Sequence, residues 1–233
     1  MPGNKYKTIL FDLDGTLVNY DAAQKCAAAK AIEQLGKSLS PELEQKVLEL
    51  VSGNAVQDIE ACRPGWMPAD SAYMQNIFTE AGVNLPSGLF LSNYFEAMSQ
   101  HGEALPGVID LLISLKKDHT IGIVSNGLGP VQRKRLAKAE LMEYLDLLVV
   151  SCEAGYAKPD PAILQFAMKL AESTPENTLF VGDSAGSDMG VAEAAGVDFV
   201  FIQPDGDFSA PGPRVLELRK IADLKNFLKD ICS

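Results

Sequence analysis

Cysteine and histidine are scarce in this chain of 233 residues. The four cysteines, Cys26, Cys62, Cys152 and Cys232, include no Cys-x-x-Cys pair, and His101 and His119 share no zinc-like spacing with them. That argues against a structural zinc site and predicts four reduced, mostly packed thiols in a cytoplasmic protein. Positive charge is also in short supply, since 20 Lys and Arg face 31 Asp and Glu for a formal net charge of −11. Nucleic acid and anionic membrane both demand a basic footprint, so neither is an expected partner, whereas a small anion can still find a locally positive site. The apolar stretch after "MPGNKYK" is too short for a signal peptide or a membrane span. No internal repeat or low-complexity tract is visible.

Apolar residues make up 47 % of the chain, enough to bury a full core without staples. The length suits one large domain or one domain carrying an insertion. Five β-rich runs stand out: "TILFDL" (8–13), "TIGIVS" (120–125), "LDLLVVS" (145–151), "TLFVGD" (178–183) and "VDFVFI" (197–202). Each is nearly continuously apolar, as in a parallel sheet covered on both faces. Helical stretches lie between the later runs, near 106–118, 129–140, 159–173 and 187–195, and a C-terminal one spans 221–231. The alternation predicts an α/β fold with a doubly wound parallel sheet.

Residues 20–103 contain no convincing strand. "DAAQKCAAAKAIEQLG" reads as a helix stopped by Gly36, and "SPELEQKVLELV" as a helix capped by Ser40. Further helices are predicted near 70–81 and 88–101, separated from these by the turn-rich "CRPGWMP" (62–68). The domain reading is therefore 1–19 plus 104–233 as an α/β core, with 20–103 as an inserted all-helical domain at the carboxyl end of the first strand, where such sheets place their ligand crevice. Trp66, Met67, Tyr73, Phe90, Tyr94 and Phe95 are expected to pack between those helices. His101 and His119 are expected to be structural or solvent-facing. Arg133, Lys134 and Arg135 are expected to form a solvated helix face, and "QPDGDFSAPGPR" (203–214) a loop.

The polar candidates fall at predicted strand ends. Asp12 and Asp14 end the first strand, Ser125 and Asn126 the second with Gly127 following, Lys158 comes after the third in "GYAKPDP", and Asp183 ends the fourth in "VGDSAGSD" with Asp188 five residues on. In a parallel sheet these ends share one edge. Two unit charges about 4 Å apart repel by roughly 4 kcal/mol at an effective dielectric of 20, and three or four clustered carboxylates would repel by several times that. A hard divalent cation with oxygen ligands answers the deficit, and Mg²⁺ keeps waters that a phosphate can replace; Lys158 supplies a second positive charge. Residues two apart on a pleated strand point to one side, so Asp12 and Asp14 are expected to face one ligand, with Leu13 turned into the core.

"DLDGTLV", "SNG", "AKPDP" and "GDSAGSD", in this order, resemble the four motifs of the haloacid dehalogenase superfamily, and the helical insertion resembles its α-helical cap. The stretch "VSNGLGPVQRKRLAKAELMEYLDLLVVSCEAGYAKPDPAIL" is similar to the branch holding pyrimidine 5′-nucleotidases and dehalogenase-like phosphatases. The resemblance implies a Rossmann-like core and a Mg²⁺-dependent phosphatase acting on a small phosphorylated metabolite, a nucleoside 5′-monophosphate among the candidates. It implies Asp12 as nucleophile and Asp14 as general acid and base. Ser125, Asn126, Gly127, Lys158 and the Asp12–Leu13–Asp14 segment would bind phosphate. Asp12, the Asp14 carbonyl and Asp183 would hold the metal, with Asp188 behind them. Thr16 would cap the next turn or steady Asp14. Sugar phosphomutases and 2-haloacid dehalogenases share the fold, as would a non-catalytic binding module. Asp14 favours phosphoryl chemistry over dehalogenation, because a departing halide needs no proton.

Overall fold

The computed structural model describes residues 5–36, 39–52, 56, 72–203 and 214–231. In chain order the elements are β1 (Thr8–Phe11), α1 (Tyr20–Gln34), α2 (Pro41–Ser52), α3 (Ala72–Glu80), α4 (Ser87–Met98), α5 (Val108–Leu115), β2 (Thr120–Ser125), α6 (Gly129–Lys138), β3 (Leu147–Val150), α7 (Ser151–Ala154), α8 (Ala162–Leu170), β4 (Thr178–Gly182), α9 (Gly190–Ala195), β5 (Asp198–Ile202), β6 (Val215–Leu218) and α10 (Leu224–Ile231). The predicted break at 62–68, with Trp66 and Met67, lies outside the described residues, as do Cys62, Cys232 and most of the loop at 203–214.

Six strands form one sheet in the order β3-β2-β1-β4-β5-β6, every neighbour parallel. The continuous apolar character of the strands is explained by cover on both sides. Ile9, Phe11, Ile121, Ile123, Leu179 and Val181 face one way, against α5 and α10 through Leu111, Leu112, Leu224 and Leu228. Leu10, Val124, Val149, Phe180 and Phe199 face the other way, against α8 and α9 through Ile163, Leu164, Val191 and Ala192. Odd and even positions of one strand thus belong to different cores, as the two-residue period of a strand requires.

The sheet has one more strand than its sequence announces. β6 is four residues long, sits at the edge and is half-buried throughout, so "VLEL" carries a weak apolar signature. β1 is shorter than predicted and stops at Phe11, leaving Asp12 to Asp14 in the turn beyond it. The predicted helix at 187–195 is a π-helical turn over Ala185–Met189 followed by α9.

The helices between β1 and β2 bury a core of their own. Ala23, Ala27, Ala28 and Ala31 make a small-residue face on α1, and the rings of α3 and α4 pack in the same cluster. Phe78 meets Phe90 edge-on at 5.3 Å, Phe90 stacks on Tyr94 at 6.1 Å, and Tyr94 meets Phe95 edge-on at 5.3 Å. Phe90, Tyr94 and Phe95 are therefore core residues, as expected. The two chain crossings into and out of this block run side by side, with the Asn19 amide donating to the Glu103 carbonyl at 3.0 Å and the Leu105 amide to the Leu17 carbonyl at 2.8 Å. Asn19 also starts α1, its side chain accepting from the Ala22 amide at 3.2 Å. No helix among the described residues is long and apolar enough to cross a membrane.

The thiol expectation needs correction. Cys26 points outward from α1 and is exposed, and Cys152 is disulfide-bonded.

Candidate active site

From β1 the chain builds outward through β2 to β3, then crosses back to β4 and builds the other way, so the strand order reverses between β1 and β4. Ligands of open α/β sheets bind beyond the carboxyl ends at such a reversal. Asp12 follows β1 and Asp183 follows β4, one on each side of that seam, and the Asp12 amide donates to the Val181 carbonyl at 2.8 Å.

Lys158 arrives from the segment after α7, and its ammonium reaches two carboxylates. It is ion-paired with Asp12 through Oδ1 and with Asp188 through Oδ1 at 2.7 Å, all three side chains being buried. The Asn126 side chain holds this lysine by its backbone: its Nδ2 donates to the Lys158 carbonyl at 3.0 Å and its Oδ1 accepts from the Lys158 amide at 2.9 Å. Asp188 is turned inward by the π-helical turn, and its Oδ2 accepts from the amides of Asp183 at 3.2 Å and Ser184 at 3.0 Å.

Asp12, Asp183 and Asp188 each offer a carboxylate oxygen within 4.8 Å of the others. Three carboxylates against one ammonium leave an excess of negative charge, which shifts the acidities of the site. Burial pushes the Asp12 carboxyl well above its usual range; Lys158 pulls it back, and Asp188, Asp183 and Asp14 push further up. Burial, then Asp188, raise Asp183 to about 6 against the pull of the Thr16 hydrogen bond and Lys158. Burial lowers Lys158, but Asp12 and Asp188 outweigh it and the net direction is up. The donor set is all oxygen, negatively charged and at a crevice, which fits a hard divalent cation. Gly15 keeps this edge open, because at its φ of 84° a Cβ would overlap the Asp183 carboxylate.

Several sequence-predicted residues are placed differently from expectation. The Asp14 carboxylate does not lie in the acidic cluster beside Asp12. The turn after β1 aims it at α6, where Oδ1 is ion-paired with Arg135 and Oδ2 accepts from Gln132 Nε2 at 2.8 Å. Arg135 is accordingly buried, while Arg133 and Lys134 are exposed in pairs with Glu153 and Glu96. The three basic residues lie on different faces of one helix, which their adjacency in sequence conceals. Thr16 Oγ1 donates to Asp183 Oδ1 at 3.0 Å instead of steadying Asp14. The Gly127 amide donates to Ser151 Oγ at 2.9 Å and is not turned to a ligand. Ser125 Oγ is buried, accepting from Gln132 Nε2 at 2.8 Å and donating to the Asn126 carbonyl at 3.1 Å. Leu13 packs its side chain into the core as expected, leaving only its backbone to the site.

A cavity of about 540 Å³ opens on this edge, lined by Asp14, Gly15 and Asp183 from the sheet and by Asn19, Tyr20 and Asp21 from the start of α1. A larger one of about 780 Å³, between α4 and the start of α6, is lined by none of Asp12, Asp14, Asp183 and Asp188. Gln132, Arg135, Asn19 and Tyr20 escaped the sequence reading. The signal for the first two was their three-residue spacing on the helix that follows Ser125–Gly127.

The family model for the haloacid dehalogenase-like hydrolases matches residues 9–202. YfnB of Bacillus subtilis (strain 168) is 25 % identical over 229 residues, covering 96 % of each chain. The crystal structure of YfnB bound to magnesium, described as revealing interdomain movement, has a TM-score of 0.80 and covers 97 % of this chain and 99 % of its own. The pyrimidine 5′-nucleotidase PynA of Streptococcus pneumoniae (strain ATCC BAA-255 / R6) is 27 % identical over 85 % of this chain and 84 % of its own. The pyrimidine 5′-nucleotidase YjjG of Escherichia coli (strain K12) is 28 % identical over 79 % and 80 %. A family model that runs from β1 to β5 takes in both sides of the seam on which the carboxylates meet, and the chain belongs to the haloacid dehalogenase-like hydrolases.

Proposed function

We propose that this hydrolase cleaves a small phosphate monoester with magnesium bound, and that nucleoside 5′-monophosphates are the first class to test. The observation that carries the reading is the buried Asp12–Lys158–Asp188 chain of charge at the seam between β1 and β4, with Asp183 across it. The relatives named pyrimidine 5′-nucleotidase support the substrate class.

In this reading Asp12 attacks phosphorus. A bond forms between its carboxylate and phosphorus as the bond to the leaving oxygen breaks, giving an aspartyl-phosphate, and a second displacement by water frees phosphate. Asp14 gives its proton to the leaving oxygen and later takes one from the attacking water. Lys158 neutralises charge on Asp12 and the phosphoryl oxygens, and the backbone clamp from Asn126 holds it there. The Ser125 hydroxyl, once turned from the Asn126 carbonyl, and the backbone of Leu13 offer donors to the phosphate. Asp12, Asp183 and the Asp14 carbonyl would hold Mg²⁺, with Asp188 ordering Lys158 behind them; bound there, the ion offsets the negative charge that phosphate brings to three carboxylates. The transferring group is loosely bonded at the transition state, so positioning and electrostatics account for most of the acceleration. Residues 1–19 and 104–233 act as the catalytic core, and 20–103 as a cap that excludes water.

A panel of nucleoside monophosphates, phosphoglycolate and sugar phosphates, assayed for phosphate release at one enzyme concentration with Mg²⁺, tests this. Release from at least one ester that disappears in Asp12→Asn is expected. No release from any ester with Mg²⁺, Mn²⁺ or Co²⁺ would refute it.

A further inference from the structure

Arg135 is a fully buried cation on a helix that carries none of the four motifs. Its guanidinium is held on several sides at once. Nε donates to the His101 carbonyl at 3.0 Å, Nη1 donates to Gln132 Oε1 at 3.1 Å, and the group lies 5.7 Å from the centre of the Tyr20 ring. Nη1 also pairs with Asp14 Oδ1, while Gln132 holds Oδ2. Asp14 sits in a turn, where backbone alone fixes its side chain poorly, yet both its oxygens are engaged by α6. The Gly102 backbone passes so close to the Arg135 carbonyl that a Cβ there would overlap it, which locks this helix against the returning chain crossing.

We propose that Arg135 is a positioning residue: with Gln132 as its partner, it fixes the place of the Asp14 carboxylate at the wall of the crevice. The proposal rests on the reading of Asp14 as the acid of a phosphatase. The guanidinium is anchored at Nε by the His101 carbonyl and at Nη1 by Gln132, which fixes its charge beside Asp14 Oδ1; a lysine ammonium at the same place keeps the charge without those anchors.

Leaving-group dependence separates orientation of the acid from general support of the fold. p-Nitrophenolate departs without a proton, whereas the alkoxide of an alkyl phosphate does not. Arg135→Lys and Arg135→Met are each assayed with p-nitrophenyl phosphate and with an alkyl phosphate, in the wild-type and Asp14→Asn backgrounds, with thermal melts alongside. The expected result is a kcat loss on the alkyl ester at least about 10-fold larger than on the aryl ester, part of the 10²–10⁴ that general acid catalysis contributes. KM should change little, Lys should lose less than Met, and neither substitution should lower activity further once Asp14 is Asn. Equal losses on both esters, a further loss in the Asp14→Asn background, or an Arg135→Lys protein that does not fold would each overturn the proposal and leave Arg135 a stability residue. A wild-type enzyme inactive on these two esters and on the whole panel above would instead refute the phosphatase reading. Equal losses in Asp14→Asn on both esters would refute its acid role and the proposal with it.

Discussion

Asp183→Asn should make the metal-free protein more stable while ending its response to magnesium. Asp183 sits beside Asp188 in a half-buried position, and its folded-state pKa of about 6 lies above the ordinary 3.8. The folded protein therefore binds more protons than the unfolded chain between those values, and stability falls as pH rises through that window. That gap corresponds to roughly 3 kcal/mol at pH 7.5 and to little at pH 4. Asn removes the charge and keeps an oxygen to accept from Thr16 Oγ1. In a chain of this size, about 3 kcal/mol is a rise of roughly 6–12 °C in melting temperature. Melts followed by circular dichroism in EDTA, at pH 4.5 and 7.5, measure this directly. Magnesium should then raise the wild-type melting temperature, by about 2.7 kcal/mol of stability at a hundred times its Kd, and leave the variant unmoved. A variant less stable than wild type in EDTA at pH 7.5 would show that uncompensated negative charge does not govern this edge of the sheet.

If Asp12 is the nucleophile as proposed, Asp12→Asn should lower kcat by at least about 10³-fold with an unchanged far-UV spectrum; phosphate release measures it. EDTA should abolish activity and excess Mg²⁺ restore it, with activity in chelator as the contrary result. Lys158→Met leaves Asp12 and Asp188 without their cation, so the metal-free protein should lose about 3–5 kcal/mol in a denaturant titration. Arg133→Ala removes a pair with Glu153 in which both side chains are nearly half exposed, and should cost less than about 1 kcal/mol with no change in kcat.

The sheet and the motif positions are readable because they depend on local chemistry. Apolar runs ending in Asp, Ser or Gly mark strands that stop at a polar edge, and a parallel sheet then gathers those ends without further information. What escapes depends on direction in three dimensions. Strand alternation puts Asp12 and Asp14 on one face, but β1 stops at Phe11 and the turn sends the second carboxylate to a different partner. Arg135 reads as one member of a basic run, and only the helix period separates its buried face from those of Arg133 and Lys134. β6 escapes because a half-buried edge strand needs no continuous apolar run. Asn126 reads as a phosphate ligand, whereas its amide pairs with the backbone of Lys158, a contact across 32 residues that no local pattern encodes.

The hydrogen-bonded crossings at Asn19–Glu103 and Leu17–Leu105 give the helical insertion an entrance and an exit at a single doorway. Length changes between them need not shift the register of β1 or β2, because the doorway is closed by main-chain hydrogen bonds and Leu17 and Leu105 anchor it to the sheet core.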